Sequence, residues 1–88
     1  MAKSLSVRKK VVPMVVTVGP ETEMNPPEKV RHSGQEFNYV LEGRVRVLFG
    51  DSVFDLNEGD CFYFDPTVPH AQCAIGGEGA KFLTVILQ

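Results

Sequence analysis

His32, Glu36 and His70 are the side chains with the clearest chemical potential in this sequence. The chain has two histidines in all, one in His32-Ser33-Gly34-Gln35-Glu36 and one closing the proline-bracketed run Asp65-Pro66-Thr67-Val68-Pro69-His70. Imidazole and carboxylate together suit iron, manganese, nickel or zinc, and two histidines with one carboxylate form the facial set of non-haem iron sites. Taken singly, a surface histidine, a solvated glutamate and a turn histidine need have no connection. Whether they form a site depends on the elements that carry them.

Those elements read as an all-β sandwich or barrel. Short runs rich in Val, Phe and Tyr alternate with Gly, Pro, Asn and Asp at intervals near ten residues, and no segment shows a capped helical period. Strands are expected over Val11–Val18, Val30–His32, Glu36–Glu42, Arg44–Phe49, Ser52–Leu56, Cys61–Phe64, His70–Ile75 and Lys81–Leu87. Pro13 argues for an edge position in the first of these. Glu42-Gly43 is predicted to close a tight hairpin, with Gly43 at positive φ, and the polar stretch Glu21–Glu28 to form a loop across the barrel or its mouth. Residues two apart in a strand share a face. If Glu36 and His70 look inward, Asn38 and Gln72 line the same cavity as orienting, ligand-binding groups, and Cys73 points away. Phe37, Tyr39, Phe49, Phe54, Phe62, Tyr63 and Phe64 read as filling between sheets or as a dimer interface.

Eighty-eight residues make one small domain with little stability to spare, so a homodimer is expected; apolar strands such as Phe37–Leu41 and Cys61–Phe64 also need cover on both sides. No apolar run approaches the ~20 residues of a membrane span, and the opening residues lack the apolar stretch of a secretory signal, which points to a cytoplasmic, membrane-free protein. Four of the nine basic residues lie in residues 1–10, leaving five against eleven acidic ones in residues 11–88. Such a body should repel nucleic acid, whose binding needs clustered Lys and Arg. The reading is a basic N-terminal tail over 1–10 and one barrel domain over 11–88. Cys61 and Cys73 form no disulfide framework and are expected to be free thiols.

From Val30 to Ile86 the chain resembles the cupin superfamily, double-stranded β-helix barrels of the jelly-roll type. His32, Glu36 and Gly43, within Glu36-Phe37-Asn38-Tyr39-Val40-Leu41-Glu42-Gly43, occupy places of the first cupin motif; Gly59-Asp60, Pro66 and His70 occupy places of the second. Val30 stands where the first motif begins with histidine, Val68 where the second has a glycine, and Ala74 where it ends in asparagine. The resemblance implies a divalent metal (Fe, Mn, Ni or Zn) on His32, Glu36 and His70, one ligand short of the full family set. A narrower likeness is to the C-terminal sensor domain of helix-turn-helix/cupin transcription regulators. The chain would then be a free-standing relative or the sensor half of a longer protein, and it contains no paired-helix pattern of its own. Three functions follow as expectations: a sensory or regulatory small-molecule-binding module, first; a metal-dependent oxygenase, isomerase or lyase; and a metal-free dimeric scaffold.

Overall fold

The structure, a computed structural model, describes residues 10–88; most of the expected basic tail lies outside the described residues. Among the described residues seven strands form: β1 Val11–Val18, β2 Gln35–Glu42, β3 Val45–Phe49, β4 Ser52–Leu56, β5 Cys61–Phe64, β6 His70–Ala74 and β7 Ala80–Leu87. They make two antiparallel sheets, one ordered β1-β7-β2-β5 and the other β4-β3-β6. This is the all-β architecture that the residue pattern implied, arranged as the jelly roll that the family resemblance implied. Among the described residues β1 is an edge strand, paired only with β7, which is the position where a proline such as Pro13 is tolerated.

The predicted hairpin at Gly43 is not one. β2 lies in the four-stranded sheet and β3 in the three-stranded sheet, so the chain turns a corner between layers. Gly43 does take positive φ, +77°. A side chain there would also put its Cβ 2.6 Å from the Gly79 carbonyl oxygen, so glycine serves both the backbone conformation and the close approach. A glycine of this kind marks a sharp turn but does not choose the strand that follows as partner. The true two-residue hairpin is Gly50-Asp51, between Phe49 and its register partner Ser52.

Two other expectations are corrected. Val30–His32 is not a strand; it contributes a single bridge, Val30 with His70, closed by two hydrogen bonds of 2.9 Å. The polar stretch does not arch over the mouth. Pro20–Glu23 forms a 3-10 turn packed against β6, where Thr22 Oγ1 accepts the Ala74 N–H at 2.8 Å and Glu23 Oε1 the Gly76 N–H at 3.1 Å. Together with the Val30 bridge it occupies the free edge of β6. An uncovered sheet edge leaves backbone groups unpaired, and this strap removes that exposure while delivering His32 to the barrel.

The core sits between the sheets: Val40, Val45, Val47, Leu56, Ala74, Ala80 and Phe82. Alternation along each strand produces it. Val40 follows Glu36 and Asn38 on one face of β2, and Ala74 follows His70 and Gln72 on one face of β6. The inner surface therefore changes from polar to apolar along the same strands.

Candidate metal centre

Glu36 comes from the start of β2 and pairs in register with Phe64 and Ile86. His70 opens β6 on the opposite sheet, level with Phe49. The two therefore meet across the interior, 4% and 2% exposed. His32 arrives on the connection into β2, held by its N–H to the Pro66 carbonyl at 2.9 Å. Gly34, at φ +94°, allows the chain to fold back tightly there, since any Cβ would collide with the Leu87 carbonyl oxygen. Tight backbone passage thus brings a histidine four residues before Glu36 onto the same carboxylate.

Both rings are oriented by main-chain carbonyls. His32 Nδ1 lies 3.0 Å from Ser33 O, and His70 Nδ1 lies 2.9 Å from Val68 O. A carbonyl only accepts, so each Nδ1 is the protonated nitrogen and each Nε2 of a neutral ring presents a lone pair. Those Nε2 atoms point at one oxygen, Glu36 Oε1, at 2.8 Å from His32 and 3.3 Å from His70. One ligand atom from each of the three residues falls within 4.8 Å of the others.

The other carboxylate oxygen is held separately. Glu36 Oε2 accepts from Asn38 Nδ2 at 3.0 Å and Gln72 Nε2 at 3.1 Å. Gln72 Nε2 also donates to Asn38 Oδ1 at 2.7 Å, and Asn38 Nδ2 reaches Thr84 Oγ1 at 3.2 Å. Asn38 and Gln72 do share the cavity with Glu36, but their polar groups are turned to the carboxylate and to each other. Among the described residues no buried side-chain polar atom lacks a partner, as a closed network requires. Thr84 escaped the sequence reading. Its signal was available: it is the one hydroxyl in the otherwise apolar inner face of Ala80–Leu87.

Val30, at the place of the family's first histidine, is 58% exposed and adds no donor. Phe64 stands edge-on to His70, ring centres 4.9 Å apart, and continues into Phe62 and Phe49 as an aromatic wall. Phe37, Tyr39 and Tyr63 lie on the outer face of the same sheet instead. Cys73 is buried away from the site, both cysteines are free, and burial raises the Cys73 thiol above its ordinary pKa. Two nitrogens and a carboxylate oxygen, with no thiolate among them, suit a divalent first-row transition metal. Carbonyl partners on the far ring nitrogens are the usual outer support of histidine ligands.

This two-sheet barrel with an inward His/Glu/His cluster is a cupin architecture. The cupin domain family model matches residues 14–86; the chain belongs to the cupin family. It is 31% identical over 80 residues to (S)-2-hydroxypropylphosphonic acid epoxidase of Streptomyces wedmorensis, covering 86% of this chain and 40% of that protein. An uncharacterised protein of Methanocaldococcus jannaschii is 29% identical over 77 residues, covering 88% of this chain and 58% of its own. The chain thus spans less than two-thirds of either relative. Among solved structures, the Fe(II) form of the epoxidase superposes with TM-score 0.78 at 32% identity, covering 86% of this chain and 43% of the epoxidase chain. Its Co(II) form with substrate gives 0.77 at 32% identity, covering 86% and 44%.

Proposed function

We propose that His32, Glu36 and His70 hold one divalent transition metal, and that the protein uses this centre to bind and transform a small molecule. One observation carries the reading: three electron-pair donors converge while both imidazole Nδ1 protons are committed to carbonyls. A single proton can bridge one of these contacts at a time; a divalent cation satisfies all three. Asn38 and Gln72 then act by holding Glu36 Oε2, which leaves Oε1 for the metal. A bound metal would supply Lewis acidity and, if iron, redox capacity beside positions left for substrate.

The enzyme reading takes precedence over the sensory one on what supports each. It rests on the ligand geometry and on a relative whose name describes an epoxidase and whose solved structures include Fe(II) and Co(II) forms. The sensory reading rests on motif likeness alone. Free cysteines suit the proposed cytoplasmic setting. No helix among the described residues is long and apolar enough to cross a membrane.

A homodimer is part of the proposal. The outer face of the four-stranded sheet carries the rows Pro13-Val85-Phe37-Tyr63 and Val15-Leu83-Tyr39-Cys61, with Val15 58% and Tyr63 63% exposed. Apolar rows of this extent are interaction surfaces rather than ordinary solvent faces. Light scattering should give twice the chain mass, and a monomer at micromolar concentration would remove this element.

The metal is tested by elemental analysis of untagged protein exposed to Fe(II), Co(II), Mn(II), Ni(II) and Zn(II) and then dialysed. About one equivalent in the natural chain and none in the Glu36→Ala/His70→Ala double variant is the expected result. Metal retained by the double variant would place the ion elsewhere. Small hydroxy acids incubated in air with the Fe(II)-loaded protein then separate the uses: product supports an enzyme, and saturable binding without product supports a sensor.

A further inference from the structure

Access to the proposed metal centre runs past one residue. The His32 side chain is 28% exposed, against 2% for His70 and 5% for Glu36. Beside it lies a shallow, open depression of about 300 Å³ lined by Arg31, His32, Ser33 and Thr67. The barrel has five basic side chains against eleven acidic ones, yet this lining holds an arginine and no carboxylate. The local sign is opposite to that of the domain around it.

Arg31 is also set apart by what it lacks. Lys29 Nζ donates to the Gly50 carbonyl at 2.7 Å, Arg44 to Asn57 Oδ1 at 3.2 Å and Arg46 to both oxygens of Asp55, while Lys81 stands 3.9 Å from Glu42. Arg31 has no such partner among the described residues. The Asp65 carboxylate accepts the Thr67 N–H at 2.9 Å and the Thr67 hydroxyl at 2.7 Å on the single oxygen Oδ1; it makes no ion pair with Arg31 and does not line the depression. A guanidinium without a partner among the described residues, beside a serine at the approach to a proposed cation site, matches one ligand feature. That feature is an oxyanion, which the planar fork of arginine can bind through two parallel hydrogen bonds.

We propose that the small molecule taken by this site carries an oxyanionic head, a carboxylate or a phosphorus oxyanion, that docks on Arg31 with help from Ser33 while its remainder reaches past His32 to the metal ligands. The substrate class rests on the metal-site reading above, but the anion subsite is built from different residues and is tested separately.

The test is a ¹⁵N NMR titration of the full chain, metal-free and zinc-loaded, with sodium acetate and with inorganic phosphate. The Arg31 Nε–H and the Ser33 and Thr67 amides should shift saturably with at least one anion in both forms. Acetate alone identifies a carboxylate head, phosphate alone a phosphorus oxyanion, and both support the general class. Arg31 is exposed, so Arg31→Gln should leave the spectrum folded and weaken binding roughly tenfold or more, the expected loss for a charged hydrogen bond. No saturable shift with either anion, or equal binding by Arg31→Gln, overturns the proposal. Zinc-induced shifts of the His32 and His70 rings are read in the same samples. Anion binding without a ring response would defeat the metal reading and leave the anion subsite standing; a ring response without anion binding would do the reverse.

Discussion

The two ends of the barrel interior share three strands and obey opposite rules. At the mouth, β2, β6 and β7 contribute Glu36, Asn38, His70, Gln72 and Thr84, with His32 added from the strap. One or two inward positions further along, the same strands contribute Val40, Ala74, Phe82 and Ala80, with Val45 and Val47 from β3. The apolar end is held by burial, which is non-directional and tolerates exchange of side chains of similar volume. The polar end is held by directed bonds in which each atom has an assigned partner, and low dielectric makes any unpaired member costly. Stability should therefore reside mainly in one end and metal affinity in the other.

Phe82→Ala makes the sharpest separation. It removes a ring 2% exposed at the apolar end and should cost about 3–5 kcal/mol of stability. Urea unfolding of the variant, set beside its metal content below the transition, checks this. Loss of metal binding while the fold remains intact would mean that the ends are coupled. Gln72→Leu is the converse. It withdraws one donor from Glu36 Oε2 and leaves Asn38 Oδ1 without its 2.7 Å partner, so stability should fall by roughly 1–3 kcal/mol. Zinc affinity by competition with a chelator should fall about 10–100-fold. An unchanged affinity would reduce the amide network to a packing role.

The smallest effect concerns the turn that carries the Pro66 carbonyl to His32. Hydrogen bonds from the Thr67 N–H and hydroxyl hold the Asp65 carboxyl below its ordinary pKa. A carboxylate favoured in the folded state stabilises it fully above the ordinary value of about 4, and that contribution is lost as pH falls toward the lower folded value. Asp65→Asn should therefore melt slightly below the natural chain at pH 7, with the two curves converging at low pH. Melting temperature measured across this range decides it; a gap that widens on acidification would show the sign to be wrong.

Much of the fold was legible because strand alternation is local. The sequence placed β1, β4 and β5 at their observed limits and set Glu36 and Asn38 on one face of β2 and His70 and Gln72 on one face of β6. Prolines and glycines marked the turns. These features depend only on side-chain volume and on the allowed φ/ψ of single residues.

Partnership was not legible. Antiparallel backbone bonds are the same whichever strand supplies them, so Gly43 announced a turn without revealing that β2 and β3 enter different sheets. The course of the strap along β6 was hidden for a similar reason: Thr22 and Val30 satisfy backbone groups that are remote in sequence. So was the part played by Thr84, which matters only because register sets it opposite Asn38. The sequence by itself determined which residue types were available to a site and which face of each strand they share. Only the tertiary structure decided that His32 Nε2, His70 Nε2 and Glu36 Oε1 meet at one point, because that depends on how two sheets and a strap close over a common interior rather than on any local conformational preference.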